Sequence, residues 1–404
     1  MNHTPQSPTL YLIAAEESGD ALGAALARAL VGREPGLKLA GVGGRAMTAA
    51  GVASPFAIDD LSILGFTAIP RRLPTILRRI RQTADAVIAA QPDALVIIDS
   101  PDFTHRVARR VRRAAPAIPI VDYVSPSIWA WRPGRARAMR DYIDCVLAIL
   151  PFEPAAHLRL GGPPCLYIGH PLVERVAELR PNADEMVRRR TDPPLILVLP
   201  GSRSSEIHRL LAIFGAAISR LADRVGTMEV VLPTLPHLYA KVNEAAAGWP
   251  LRPRLVVEPA EKWAAFRSAR AALAASGTVT LELALAGVPT VAAYRVSLVE
   301  ELVARLMRQP DISTIILANL VIGENVVPEF LQRDCTPEKL TAALVPLLAD
   351  TAERRRQLAA FGRLDDIMAI KDASPSSQAA AIVLDVARRG RRDPAALTMK
   401  ARRC

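Results

Sequence analysis

Leu195-Ile196-Leu197-Val198-Leu199-Pro200-Gly201-Ser202-Arg203-Ser204-Ser205-Glu206 is the stretch on which the reading of the fold turns. Five aliphatic residues in a row suit a strand buried on both faces. Pro200 and Gly201 end the run, and Ser204 opens an amphipathic stretch to Val225 that reads as a helix. Strand, glycine turn and helix make the first step of a βαβ unit. Here that step begins in the middle of the chain.

Outward from it the same rhythm recurs on both sides. Downstream, Glu229–Leu232, Arg254–Val257, Ala271–Ala275 and Thr290–Tyr294 read as strands, and Thr278–Ala286 as a helix. Upstream, Leu10–Ala14, Leu37–Val42, Ala94–Asp99, Ile118–Val124 and Cys145–Leu150 read as strands. Helices are expected over Ala21–Val31 and from about Phe103 to Ala115. The segment Pro181–Pro194 is polar and charged, and reads as a short helix and linker. The expected fold is therefore α/β, with two Rossmann-like, doubly wound domains facing a cleft at the carboxyl ends of both sheets. The expected boundaries are 1–180 and 181–365, with 366–404 as a C-terminal helix returning to the first domain, followed by a basic tail.

Composition agrees with two domains. At roughly 100–200 residues per domain, 404 residues make two or three. Half the residues are hydrophobic and 23% are charged, which excludes a disordered or fibrous chain. The four cysteines include no Cys-x-x-Cys pair, so a disulfide framework and a zinc site are not expected. Met1–Pro8 is polar and does not read as a signal peptide. No long uncharged apolar run suits a membrane span, and the expected compartment is the cytoplasm.

The net charge of +11 is unevenly spread. Phe66–Arg140 holds 14 Arg against 5 Asp, and Arg388–Cys404 holds 7 Lys and Arg against 1 Asp. Such patches suit an anionic partner: a phosphorylated substrate, an anionic lipid surface or nucleic acid. Ile63, Leu64, Phe66 and Ile69 come directly before Arg71 and Arg72, an order that suits a membrane surface or an acylated, phosphorylated ligand. From Leu73 to Val87 the helical spacing fits an ordinary helix packed on a sheet.

Chemistry is expected where strands end. Gly201, Ser202 and Arg203 precede a helix whose amides suit phosphate, with Arg203 adding a charged contact, although Ser N-caps would give the same pattern. Ser276, Gly277 and Thr278 repeat that logic, and Glu282 could accept from ribose hydroxyls or complement the helix dipole. Asp99, at the end of a buried strand, reads equally as a general base or as a cap, whereas Asp102 reads first as a cap. Glu16 and Ser18 are further polar groups for the cleft. The six histidines show no paired ligand spacing, and neither metal nor cofactor is expected.

Several motifs occur together in order: Glu16-Glu17-Ser18-Gly19-Asp20, Gly41-Val42-Gly43-Gly44, Asp99-Ser100-Pro101-Asp102-Phe103 and Tyr123-Val124-Ser125-Pro126-Ser127-Ile128-Trp129-Ala130-Trp131-Arg132. Leu150-Pro151-Phe152-Glu153, Ile168-Gly169-His170-Pro171, Leu199-Pro200-Gly201-Ser202-Arg203 and Ala275-Ser276-Gly277-Thr278 follow. From about Leu10 to Arg389 the chain resembles lipid-A-disaccharide synthase, a bacterial inverting glycosyltransferase family of the two-Rossmann (GT-B) kind. The Ser-Pro-Ser-x-Trp-Ala-Trp-Arg run is the most specific signature.

The resemblance implies transfer of a diacylglucosamine from UDP-2,3-diacylglucosamine to 2,3-diacylglucosamine 1-phosphate (lipid X), giving the β-1,6 disaccharide 1-phosphate and UDP. It implies Asp99 as general base on the acceptor 6-hydroxyl, with Glu16 near the reacting sugars. Gly201, Ser202, Arg203, Ser276, Gly277, Thr278, Glu282 and Asn319 are implied to bind UDP. Ile63, Leu64, Phe66, Ile69, Arg71, Arg72, Trp129, Trp131 and Arg132 are implied to meet acyl chains, acceptor or an anionic inner-membrane surface. A peripheral location on the cytoplasmic face follows, and a homodimer is left open.

The chain departs from the family pattern at Ala15 and Glu17, where Gly and Ala are usual. It departs again at Ile316-Leu317-Ala318-Asn319-Leu320-Val321, which lacks the usual proline. Another nucleotide-sugar enzyme of this architecture is the competing reading, and the Trp-Ala-Trp-Arg run weighs against it. A nucleic-acid binder is disfavoured by the 4% aromatic content and the lack of a binding module.

Overall fold

The computed structural model describes residues 8–58, 69–297, 300–301, 314–370 and 373–392, and at 69–72 and 392 the backbone alone. The chain divides into two compact units, Met1–Pro171 with Ile370–Cys404, and Leu172–Ala369.

The first unit is built on strands β1 (Thr9–Ala14), β2 (Lys38–Val42), β3 (Ala94–Ile98), β4 (Ile120–Tyr123), β5 (Cys145–Ala148) and β6 (Cys165–Tyr167). They form one parallel sheet in the order β2-β1-β3-β4-β5-β6. The second unit carries β7 (Leu195–Leu199), β8 (Glu229–Pro233), β9 (Arg254–Val256), β10 (Ala271–Ala275), β11 (Thr290–Tyr294) and β12 (Glu329–Leu331). Their order is β12-β11-β10-β7-β8-β9, again parallel. All five residues of β3, β7 and β10 are buried, because helices cover both faces of a parallel sheet. This is the α/β architecture expected from the sequence.

The element types hold, and the edges differ. β6 and β12 are three-residue, half-buried edge strands too short to show a hydrophobic period, and the sequence reading missed them. The first helix, Glu17–Arg33, starts four residues before the expected Ala21 and takes in Ser18, Gly19 and Asp20. Gly19 permits this: a Cβ there would lie 3.1 Å from the Ile98 carbonyl oxygen of β3.

Pro181–Pro194, read as a short helix and linker, contains that helix and is firmly anchored. Asn182 caps helix Ala183–Arg190 through a capping box with Glu185. Buried Arg189 donates to the carbonyls of Phe266, Arg267, Ala286 and Gly287 at 2.7–3.1 Å. Burial lowers its pKa to about 10. At the other end of the chain, helix Pro375–Arg389 buries Ala379, Ala380, Val383 and Leu384 in the same core as Leu26 and Leu30.

Helix Ile69–Ala90 buries Ile80, Ala84 and Val87, as an ordinary packed helix should, while Leu73 and Leu77 remain 41% and 40% exposed.

Candidate active site

In each sheet the strand order reverses at one place, and ligands of doubly wound folds bind outside the strand ends there. In the first unit that place is between β1 and β3; in the second it is between β7 and β10.

At the end of β3, Asp99 and Ser100 both take left-handed backbone conformations, with φ of 54° and 46°. Two such non-glycine residues cost about 1–3 kcal/mol each and persist only where the surroundings enforce them. The enforcing bonds are visible. Asp99 N–H donates to the Tyr123 carbonyl at 3.0 Å, and Thr104 Oγ1 donates to the carbonyls of Asp99 (2.7 Å) and Ser100 (3.1 Å). The strained turn leaves the carboxylate half-buried. It accepts from Ser18 Oγ at 3.0 Å and from the Ser100 amide at 2.8 Å. The first-loop motif and the Asp99 motif are thus one structure. Glu16 is exposed, one residue before the helix. Asp102 is 83% exposed and pairs with Arg135 at 3.3 Å, which sets it apart from Asp99.

Asp20 has a role that sequence reasoning missed. It is buried and accepts from the amides of Gly44, Ala46 and Met47 at 2.7–3.0 Å, tying the first helix to the start of the short helix Arg45–Ala49 after β2. The clue in the sequence was the Gly43-Gly44 pair: a Cβ at Gly44 would lie 2.6 Å from Asp20 Oδ2.

In the second unit Gly201 has φ of 115°, and a Cβ there would lie 2.3 Å from Glu206 Oε2. Glu206 itself was not singled out from the sequence. Its carboxylate accepts from the Ser202 and Arg203 amides at 3.0 and 3.2 Å, from Arg203 Nη1 at 2.9 Å and from the Tyr294 hydroxyl at 3.3 Å. An internal anion therefore already sits on the amides that close this loop. Across the switch point, helix Thr278–Leu285 has no side-chain cap, and Gly277 and Thr278 are exposed. Ser276 Oγ donates to the Ile315 carbonyl at 3.3 Å. Glu282 accepts from Lys262 Nζ at 3.1 Å, and Lys262 lies 4.0 Å from the centre of the Trp263 ring.

A family model described as lipid-A-disaccharide synthetase matches residues 10–383. The chain belongs to the lipid-A-disaccharide synthase family. The synthase of Nitrobacter hamburgensis is 62% identical over 381 residues, 94% of this chain and 96% of its own length. That of Bradyrhizobium diazoefficiens is 59% identical over 384 residues, 95% and 97%. Among solved structures, Acinetobacter baumannii MurG matches with a TM-score of 0.55 at 16% identity, covering 94% of this chain and 99% of MurG. A UDP-GlcNAc 2-epimerase from Neisseria meningitidis, solved with UDP-GlcNAc, matches with a TM-score of 0.60 at 11% identity over the same shares. These structures share the GT-B-type fold. The chain is thus a glycosyltransferase-fold member of a lipid A biosynthesis family.

The synthase signature around Trp129 and the Leu-Pro-Phe-Glu motif form one cluster. Trp129 Nε1 donates to Glu153 Oε1 at 3.3 Å, and its ring stands edge-on to Phe152 at 5.2 Å. Glu153 also accepts from the Leu150 amide at 3.1 Å, yet burial pushes its pKa up to about 8. Ser125 Oγ lies 2.8 Å from His157 Nε2, and burial lowers the pKa of His157 to about 4. Trp131 and Arg132 are exposed, Arg132 with φ of 50°.

One residue that the family pattern implies for the nucleotide is already engaged within its own loop. Asn319 is 2% exposed. Its Nδ2 donates to the Val327 carbonyl (2.9 Å) and Thr314 Oγ1 (3.4 Å), and its Oδ1 accepts from the Val326 and Val327 amides (3.1 and 2.9 Å). Two donors and two acceptor sites are all an asparagine amide has. Asn319 therefore shapes the 314–327 loop. Ile63, Leu64 and Phe66 lie outside the described residues, as do the side chains of Ile69, Arg71 and Arg72. Among the described residues no helix is long and apolar enough to cross a membrane, and no group of three or more His, Cys, Asp or Glu could hold a metal ion.

Proposed function

We propose that the enzyme joins UDP-2,3-diacylglucosamine to 2,3-diacylglucosamine 1-phosphate, giving the β-1,6-linked disaccharide 1-phosphate and UDP. The observation that carries this reading is Asp99, held by a strained turn at a switch point with its carboxylate half-buried against Ser18. Asp99 takes the proton from the acceptor 6-hydroxyl. That oxygen bonds to the donor's anomeric carbon as the bond from that carbon to the diphosphate breaks. One displacement inverts the anomeric centre, and UDP leaves with the electron pair. Ser18 holds the carboxylate in register, and Glu16 lies beside the reacting sugars.

The second unit takes the nucleotide. Amides at Ser276, Gly277 and Thr278, with Arg203 beside Gly201 and Ser202, offset the charge developing on the diphosphate. Glu282, set by Lys262, meets the ribose. The Neisseria epimerase, solved with UDP-GlcNAc, supports a UDP-sugar ligand for this fold. The reaction proceeds without a metal ion, at the cytoplasmic face of the inner membrane, where the basic residues of the first unit meet anionic lipid. Trp129, Trp131 and Arg132 belong to the acceptor side.

The test is an assay of purified protein with both substrates in EDTA, read by mass spectrometry. Tetraacyl disaccharide 1-phosphate in EDTA is the expected result. Product that appears only after Mg²⁺ is restored would overturn metal independence. No product from folded protein with any acyl length would overturn the reaction.

A further inference from the structure

Helix Pro101–Ala114, which starts two residues after Asp99, carries an arginine-lined cavity of about 270 Å³. Its walls include Arg106, Arg109, Arg132 and Arg135, with His105 and Asp102. Four arginines line the cavity with one carboxylate, that of Asp102, which pairs with Arg135 at 3.3 Å. Arg106 forms no ion pair with an acid among the described residues. Guanidinium forks of this kind match the oxygens of a phosphate monoester.

Arg109 is held in place from behind. Its Nη2 donates to the Tyr142 hydroxyl at 3.2 Å, and its guanidinium lies 4.6 Å from the Tyr142 ring centre. The Tyr142 hydroxyl lies 3.0 Å from His105 Nδ1, and His105 Nε2 lies 3.2 Å from Asp122 Oδ2. Asp122 and His105 are both buried. The contacts line up from the cavity inward. Arg109 donates to the Tyr142 hydroxyl, that hydroxyl is within hydrogen-bond distance of Nδ1, and the far side of the ring faces the buried Asp122 carboxylate. Burial raises the pKa of Tyr142, which keeps its donor proton in place. The relay fixes one arginine of the cavity before any ligand arrives, which lowers the cost of ordering it.

The volume sets the size of what enters. About 270 Å³ lies below the ~300–1,000 Å³ of whole small-molecule sites, so it suits a headgroup and not an acylated sugar. A second cavity, of about 280 Å³, shares Arg106 and Arg109 and adds the apolar side chains of Leu77 and Ile80. Phosphate beside apolar surface fits an amphiphile better than a free inorganic ion.

We infer that the cavity formed by Arg106, Arg109, Arg132 and Arg135 binds a phosphate monoester on the acceptor glycolipid, with His105 and Tyr142 as positioning residues. The inference rests on the reaction proposed above and deepens it: the cavity reads the phosphate, while Asp99 performs the proton transfer.

The experiment compares 2,3-diacylglucosamine 1-phosphate with the same acceptor lacking its phosphate, in wild-type and Arg106→Gln/Arg109→Gln enzyme. Both residues are exposed, so the double variant should fold; circular dichroism checks this, and the single variants serve if it does not. At about 10- to 100-fold for each charged hydrogen bond lost, the double variant should raise KM for the phosphorylated acceptor at least tenfold. The donor KM, and kcat/KM for the unphosphorylated acceptor, should stay within about twofold, because these arginines meet only phosphate. Tyr142→Phe keeps the ring and removes the hydroxyl; it should raise the same KM about threefold with kcat unchanged. Arg109→Lys should not rescue, because the fork is lost.

A double variant that still prefers the phosphorylated acceptor would overturn the inference. Loss of binding to phosphatidylglycerol vesicles with that preference intact would make the cavity a membrane contact instead. Wild-type enzyme indifferent to the phosphate would also overturn it while leaving the reaction standing. If wild type makes no disaccharide from either acceptor, the reaction fails, and calorimetry with orthophosphate decides the cavity: binding lost in the double variant supports it, and absent or unchanged binding overturns it.

Discussion

The two switch points occupy equivalent places in two parallel sheets and carry opposite chemistry. Between β1 and β3 the structure places a carboxylate, Asp99, on a strained turn and aligns it with a hydroxyl, Ser18. Between β7 and β10 it places small residues and helix amides, some already closed by Glu206 and some without a side-chain cap at Thr278. In the function proposed above, the contrast tunes one architecture toward proton removal or toward anion binding through the few residues after a strand. Strain suits the first task because it fixes one acid. Glycine and hydroxyl residues suit the second because they let a ligand approach backbone N–H groups.

The largest test of this contrast is Asp99→Asn. Loss of the base should lower kcat about 10²- to 10⁴-fold while UDP affinity, measured by calorimetry, is unchanged. An active variant would erase the distinction between the two switch points. Arg203→Ala probes the other side. UDP affinity should fall about 10-fold, as expected for one charged hydrogen bond, and lipid-acceptor KM should not follow. Glu206→Gln sharpens the comparison. If Glu206 competes with the diphosphate for the Ser202 and Arg203 amides, removing its charge should tighten UDP binding about 2- to 5-fold. Weaker binding would mean that Glu206 holds the loop for the ligand instead.

The smallest effect concerns stability, and it too separates the units. The first unit buries groups in their neutral forms: His157 and His170 with pKa lowered from 6.5 to about 4, and Glu153 raised from 4.5 to about 8, each mainly by burial. From pH 4 to 6.5 the unfolded histidines bind protons that the folded ones do not, so stability rises with pH. From 4.5 to 8 folded Glu153 holds a proton that the unfolded chain has lost, which works in the opposite direction. Two histidines outweigh one glutamate below 6.5, and Glu153 acts alone above it. Melting temperature should therefore peak near pH 6.5. Glu153→Gln should remove the decline between 6.5 and 8, and a persistent decline would assign it elsewhere. Arg189, buried in the second unit on four carbonyls, stays charged across this range and should add no slope.

Much of the fold was legible because burial writes itself into composition. Leu195–Leu199 and Ala271–Ala275 are continuous small or aliphatic runs, and both strands appear with the expected bounds. Cys165–Tyr167 and Glu329–Leu331 were not legible. A three-residue edge strand is defined by the neighbour it pairs with, not by its own pattern.

The candidate site divides along the same line. Asp99, Ser18, Gly201 and Thr278 stand out as candidates in the sequence because strand ends and helix starts are local signals. Asp20, Glu206 and Arg189 could not be assigned, since the meaning of a buried charge lies in its partners. The partners of Asp20 and Arg189 are some 24 to 98 residues away. Asn319 shows the converse. The family pattern implies a ligand contact for it, and only the structure shows the four side-chain bonds by which it closes a loop.

By itself the sequence determined the α/β class, the restart of the strand–helix rhythm and the family, because hydrophobic period, glycine turns and motif order are properties of neighbouring residues. Only the tertiary structure decided which polar groups are engaged and which remain for a ligand. Hydrogen bonds act over about 3 Å of space. The relay from Asp122 through His105 and Tyr142 to Arg109 exists only once helix Pro101–Ala114 lies against β4 and the 142 turn.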